Sequence, residues 1–409
     1  VKICLIIDDY LPGSIKAGAK MMHDLGVEFV RRGHTVTVIT PEPSLEKQSD
    51  ICELDGVTVC RFRSGKIKNV SRVKRVINET RLSRNAWVGL GRYLRGNTHD
   101  LIVYYSPTIF WGQLVKKLKQ LWGCPSYLVL RDIFPQWVID KGLLSEGSLI
   151  TKYFRFFERL NYQAADHIAL QSPGNLQWFA QATQTGKRLG LLYNWAEDET
   201  VTNNSGHYRR ELGLTGKVVY VYGGTFGHAQ DTMNLVRLAK NMRDVENAHF
   251  VLIGEGDEFD LVHEAIVREE LANVTMLPPV LQDEFKAMLV EFDVGLFTLH
   301  RGHTTHSFPG KLLSYMVAQM PILGSINQNN DLKTVVEGAN AGLITVNGDD
   351  QGLLADALML FEDDELRKQM GKNAKQLLHA TFSVKSAADH ILARDFEPMA
   401  SQPSSSVDC

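Results

Sequence analysis

Lys2-Ile-Cys-Leu-Ile-Ile-Asp8, a turn Asp9-Tyr-Leu-Pro-Gly13, a helical pattern over 17–32 and a second apolar run Thr35-Val-Thr-Val-Ile39 follow one another at the start of the chain. Met21, Met22, Leu25, Phe29 and Val30 recur at helical spacing, and Gly33-His34 ends that pattern. A strand, a crossover helix and a strand predict a parallel sheet. Working outward, further strands are expected at 57–62, 101–105, 126–130 and 167–170, with helices near 108–121 and 148–165. A second beginning stands at Val218-Val-Tyr-Val-Tyr222, followed by Gly223-Gly224-Thr225, a helix at about 231–243 and strands at 249–253, 274–277, 293–297, 321–323 and 342–345. The expected fold class is α/β, with two Rossmann-like doubly wound domains facing across a cleft, one over 1–194 and one over 195–383.

Composition agrees with that division. The chain has 409 residues, more than one ordinary domain holds. With 44% hydrophobic and 22% charged residues it is neither disordered, collagen-like nor coiled-coil. No apolar run approaches the roughly 18 residues that would span a bilayer. The opening Val1-Lys-Ile-Cys-Leu-Ile-Ile7 lacks the basic-apolar-small layout of a signal peptide, so a cytosolic location is expected. Cys4, Cys52, Cys60, Cys124 and Cys409 are odd in number and without a C-x-x-C spacing, which indicates neither a disulfide framework nor a zinc site. The net charge of −3 conceals 27 Lys and Arg against 16 Asp and Glu over residues 1–195, and 17 against 31 over the rest. Only the first half suits an anionic surface. Residues 396–409, polar and Pro/Ser-rich, read as a disordered tail.

Four stretches are candidates for chemistry. Gly13-Ser-Ile-Lys-Ala-Gly18-Ala19-Lys20 lies where the first strand meets its helix, and its small residues either admit a diphosphate or acceptor or form a plain turn. Tyr222-Gly223-Gly224-Thr225-Phe226-Gly227 is the corresponding turn of the second half, and so many glycines favour close backbone approach to an anion. Gly254-Glu255-Gly256 follows the 249–253 strand at the same edge; Gly254 and Glu255 are counted with the nucleotide site, although no third glycine completes a dinucleotide fingerprint. Pro309-Gly310-Lys311 opens an amphipathic helix containing Leu312 and Ser314. A lysine in a first helical turn opposes the helix dipole, a conflict with local rules of the kind expected at functional sites. Lys311 is read as the cation on a diphosphate.

At this point the chain resembles the family 4 glycosyltransferases of GT-B architecture, and among them the N-acetyl-L-fucosaminyl transferases of O-antigen and capsule assembly. The resemblance rests on Asp8-Asp9-Tyr-Leu-Pro12, Ala17-Gly-Ala-Lys20, Arg31-Arg-Gly-His34, Arg131-Asp-Ile-Phe-Pro135, the 222–227 turn and Phe308-Pro-Gly-Lys311-Leu-Leu-Ser-Tyr-Met316. It implies two Rossmann domains, a nucleotide-sugar donor held mainly by the second, and a helix at about 384–394 crossing back to the first. It also implies a retaining enzyme that needs no metal or other cofactor. The family's two glutamates, one near the donor sugar and one on the ribose, are replaced here by His306 and Ser314, and the turn Gly227-His-Ala-Gln-Asp231 lacks the usual basic residue. Lys311, Asp132 and His306 are thus the candidate catalytic residues. Asp132 either serves as general base for inversion or merely pairs with Arg131 or caps a helix.

His300-x-x-His303-x-x-His306 has the residue type of a metal site but no neighbouring carboxylate or cysteine, and no metal is expected. Residues 64–95 carry nine Lys and Arg against Glu79 alone, interleaved with Ile67, Val70, Val73, Val76, Ile77, Trp87, Leu90 and Tyr93. No nucleic-acid motif accompanies them, so they are read as an anionic-membrane patch rather than a nucleic-acid site. The expected function is transfer of a sugar from a UDP-sugar donor to a polyprenyl-diphosphate-linked acceptor by a protein peripheral on the inner face of the cytoplasmic membrane. A UDP-N-acetylhexosamine 2-epimerase and a non-catalytic sugar-nucleotide-binding assembly protein are the alternatives.

Overall fold

The computed structural model describes residues 1–14, 16–67, 70–183, 186–199, 205–302 and 310–396. The first sheet holds β1 (Lys2–Ile6), β2 (Thr35–Glu42), β3 (Ser49–Leu54), β4 (Val57–Arg63), β5 (Leu101–Ser106), β6 (Ser126–Leu130), β7 (His167–Leu170) and β8 (Arg188–Leu191), in the order β3-β4-β2-β1-β5-β6-β7-β8. The second holds β9 (Val218–Thr225), β10 (Ala248–Glu255), β11 (Val274–Leu277), β12 (Val294–Thr298), β13 (Ile322–Ile326) and β14 (Gly342–Val346), in the order β11-β10-β9-β12-β13-β14. All pairs in the second sheet are parallel. Central strands buried on both faces explain why they read as near-continuous apolar runs.

The helix Ala17–Arg31 ends as expected: Gly33, at φ +82°, lets its own N–H reach the Val30 carbonyl and the His34 N–H reach that of Phe29. The strand β3, absent from the expected elements, pairs antiparallel with β4 at the sheet edge. Its signal was present in the Asp55-Gly56 turn, where both residues have positive φ, as a two-residue hairpin requires.

The chain forms two compact units. One comprises Val1–Ala169, Thr185–Leu192 and Lys385–Cys409; the other comprises Leu170–Gln184 and Tyr193–Val384. The stretch from Leu170, expected within the first domain, belongs to the second because its helix Pro173–Ala182 is held there: the Gly174 N–H donates to the Asp331 carboxylate at 2.7 Å. The final helix, Val384–Phe396, lies with the first unit, where Asp389 pairs with Arg32 at 2.5 Å and the Lys385 carbonyl accepts from the same guanidinium at 2.9 Å. Cys4, Cys52, Cys60 and Cys124 are free thiols; Cys409 lies outside the described residues.

Candidate functional site

In the second unit the chain runs from β9 outward through β10 to β11, then returns to β12 on the other side of β9. The carboxyl ends of β9 and β12 are therefore the switch point at which doubly wound sheets take ligands. Gly223, Gly224 and Thr225 end β9 there, and the helix Gly310–Val317 follows β12.

Gly224, Gly254 and Gly256 adopt φ of +142°, +150° and +147°. A Cβ on Gly254 would overlap the Gly224 carbonyl oxygen, one on Gly256 the Phe226 carbonyl, and one on Gly223 the Phe285 ring. Two turns pack on each other here, joined by Phe226 N–H to Glu255 O at 2.8 Å and Glu258 N–H to Phe226 O at 3.0 Å. That packing gives Gly223, Gly254 and Gly256 a reason independent of any ligand. It leaves Gly224, Thr225 and Glu255 exposed at the switch point.

Lys311 occupies the same place. Its ammonium is buried without a hydrogen-bond partner among the described residues, lies 3.9 Å from the centroid of the Tyr222 ring and 5.9 Å from that of Phe297, and would stand 2.8 Å from a Cβ on Gly224. Burial lowers its pKa to about 7, so without a counter-ion Lys311 is only partly charged near neutral pH. Tyr222 is held by donating its hydroxyl to the Thr225 carbonyl at 2.7 Å. Beneath it the Tyr315 hydroxyl accepts from Gly223 N–H at 3.3 Å and faces the Leu296 carbonyl at 3.1 Å. Phe297 is outside the expected site, and Tyr222 and Tyr315, although within the 222–227 and 308–316 stretches, have no expected role of their own.

The other expected donor residues divide. Leu312 is fully buried in the core of this unit, so its side chain is unavailable to a ligand, whereas Ser314 is partly exposed. His306, with Pro309, lies outside the described residues. His228 fills the turn without a basic residue; its ring packs against His300 at 4.5 Å, and it stands 3.7 Å from the Glu258 carboxylate. Among the described residues no group of three His, Cys, Asp or Glu could hold a metal ion.

In the first unit Ile6 pairs with Tyr104, and Tyr104 with Leu128, so Asp8 and Asp132 leave the carboxyl edge on either side of β5. Burial raises Asp8 to about 6, against the pull of Lys16 and with help from Asp9 and Glu79. Asp9 is itself held by Ser14 Oγ at 2.6 Å and Lys16 at 3.8 Å. Desolvation raises the pKa of Asp132 as well, and the helix that follows begins at Gln136, so Asp132 does not cap it. Buried Arg131 donates to the Leu192 carbonyl at 2.7 Å. Gly18 is tight because a Cβ there would stand 3.0 Å from the Tyr105 hydroxyl, which gives it a packing reason.

The basic stretch 64–95 needs correction in detail. Ile67, Leu82, Ala86 and Leu90 are buried, and Trp87 lies between the Lys117 ammonium at 3.9 Å and the Arg95 guanidinium at 4.9 Å. Most of its apolar residues therefore serve the core; Val73 and Ile77, on the helix Arg72–Thr80, and Val88 remain exposed. Among the described residues no helix is long and apolar enough to cross a membrane.

Residues 17–188 match the family described as glycosyl transferase 4-like domain, and residues 205–377 match glycosyl transferases group 1. The chain is 23% identical over 231 residues to a probable glycosyltransferase, WbjE, of Pseudomonas aeruginosa, covering 55% of this chain and 57% of that protein. It is 20% identical over 227 residues to N-acetyl-alpha-D-glucosaminyl L-malate synthase of Bacillus anthracis, covering 55% and 58%. Each alignment thus spans little more than half the relative's length. The solved structure of Anabaena HepE in complex with UDP superposes with a TM-score of 0.68 at 15% identity, over 96% of this chain and 99% of that one. Two doubly wound domains, matched in turn by a 4-like and a group 1 domain, place the chain among the family 4 glycosyltransferases of GT-B architecture.

Proposed function

We propose that the protein transfers N-acetyl-L-fucosamine or a related 6-deoxy-N-acetylhexosamine from its UDP-sugar to a polyprenyl-diphosphate-linked acceptor in O-antigen or capsule assembly, while docked on the cytoplasmic membrane face. The observation that carries the donor half is an ammonium at the switch point of the second sheet with no counter-ion among the described residues. A buried cation without a partner is unfavourable by itself and suits a site completed by a ligand's negative charge. The likeness to HepE, solved with UDP, supports the choice of a uridine diphosphate donor.

As the glycosyl bond breaks, negative charge grows on the departing diphosphate. Lys311 and the backbone of 223–227 would stabilise it, and a group preorganised for developing charge contributes more than one that must reorganise. Asp132 and Asp8, at the carboxyl edge of the first sheet, are our candidate carboxylates for the acceptor hydroxyl; a general base there goes with inversion, and their idleness with retention. Purified protein is incubated with a panel of UDP-sugars, with and without polyprenyl-diphosphate-GlcNAc, and UDP and sugar products are followed. Acceptor-dependent UDP release supports the transferase and opens the product anomer to NMR. An epimerised UDP-sugar without acceptor replaces it with the 2-epimerase, and UDP binding without turnover on any acceptor with a non-catalytic protein.

A further inference from the structure

The first unit carries an apolar face that the basic stretch does not account for. The helix Gln136–Asp140, the turn after it and the helix Leu149–Ala164 form a hairpin whose inner side packs Phe154 and Phe157 against Ile109 and Phe110. Its outer side leaves Leu149 84%, Leu143 66% and Phe156 53% exposed, with Trp137 and Ile150 also open. The helix Arg72–Thr80 joins the same small core through Val76, and the Thr80 and Tyr153 hydroxyls are hydrogen-bonded at 2.5 Å. Val73 and Ile77, one turn apart, point outward beside the hairpin and are 70% and 43% exposed. Single exposed apolar residues are ordinary, but seven grouped around one small core are more than scatter.

Charge identifies the occupant. Glu146 and Glu158 are engaged by Arg155 and Glu79 by Arg75, which leaves exposed Asp140, bonded by the Gln136 amide at 2.7 Å, as the one carboxylate of the hairpin without an ion pair among the described residues. Exposed Arg72, Lys74 and Lys152 have no ion pair among the described residues, and the Lys141 ammonium sits 5.4 Å from the Trp137 ring, an aromatic and a cation side by side as at a lipid headgroup boundary. A second copy placed on this face by a two-fold axis would bring these cations against themselves. An anionic lipid surface instead accepts both the apolar side chains and the charges.

We propose that the hairpin 136–156, together with the helix Arg72–Thr80, is the membrane anchor of the protein, with Leu143, Leu149 and Phe156 entering the headgroup-acyl boundary and the flanking cations meeting lipid phosphates. This rests on the membrane docking proposed above and moves its apolar part out of residues 82–95. Each basic side chain near such a surface adds about fivefold to binding.

The test is co-sedimentation of the full chain with phosphatidylcholine vesicles, with and without phosphatidylglycerol, alongside light scattering for oligomeric state. Wild type is expected to bind the anionic vesicles. Leu149→Glu with Phe156→Glu should weaken that binding more than tenfold while the protein stays folded, with a small drop in melting temperature from the lost Phe156–Phe157 ring contact. Arg72→Glu with Lys74→Glu should also weaken it and abolish its dependence on phosphatidylglycerol. Wild-type binding by the Leu149/Phe156 variant overturns the anchor, as does a wild-type dimer that this variant dissociates, or wild type that binds no vesicle. UDP release with a short, water-soluble acceptor separates the two readings: turnover without vesicle binding ends the anchor alone, while vesicle binding that follows the variants without turnover on any acceptor ends the transferase alone.

Discussion

The Lys311 ammonium lies 3.9 Å above the Tyr222 ring, joining the first turn of the helix after β12 to the last aromatic residue of β9. No acceptor or carboxylate meets it among the described residues, and burial alone brings its pKa to about 7. Between that value and the ordinary lysine value near 10 the folded protein binds fewer protons than the unfolded chain, so stability rises with pH across that window. Lys311→Met is therefore expected to melt at a higher temperature than wild type at pH 6, the gap closing toward pH 10. Turnover should fall by two or more orders of magnitude, as for loss of a group that stabilises a leaving charge. Calorimetry over pH and a UDP-release assay measure both, and near-normal turnover would remove Lys311 from the mechanism.

Tyr222 offers its face to that ammonium, an interaction of about 0.5–2 kcal/mol and strongest when desolvated. Tyr222→Leu removes the ring, so the amine is neutral over more of the pH range. Donor affinity should drop several-fold at pH 8 and recover substantially at pH 6, whereas Tyr222→Phe should stay close to wild type at both. Titration calorimetry with a UDP-sugar, whose diphosphate keeps a constant charge over this range, reads the difference. An equal loss at both pH values would mean that the ring only packs.

Gly254 is constrained twice, by φ of +150° and by the Gly224 carbonyl that a Cβ would strike. Gly254→Ala should destabilise by about 2–4 kcal/mol through backbone strain and overpacking. Gly310, with nothing within 4 Å of its Cβ position among the described residues, is the control, and Gly310→Ala should be neutral or slightly stabilising. Urea unfolding monitored by tryptophan fluorescence distinguishes them.

Asp8 has the opposite linkage. Its raised pKa of about 6 means that the folded protein binds more protons than the unfolded chain between about pH 4 and 6, so stability is lost as pH rises through that range. Asp8→Asn should raise the melting temperature at pH 8 and leave it nearly unchanged at pH 4. If the carboxylate meets the acceptor hydroxyl, the same variant loses turnover while gaining stability. A variant that gains stability and keeps full turnover would leave Asp8 a partly buried acid with no part in transfer.

Both doubly wound domains were legible because parallel strands buried on two faces must read as short apolar runs, and because Gly33 and the 222–227 turn punctuate them. The edge strand β3 escaped, since its alternation of Cys52 and Leu54 with charged residues reads as surface until the Asp55-Gly56 hairpin is noticed. By itself the sequence determined the two sheets and the position of Lys311 at a helix start beside the switch point. Only tertiary structure decided how readily that lysine is charged, that Gly254 is forbidden a Cβ by Gly224, and that Leu82, Ala86, Leu90 and Leu94 turn inward while Leu143, Leu149 and Phe156 turn out. Burial, steric exclusion and the facing of a side chain depend on neighbours that other strands and helices bring, and local periodicity does not record them.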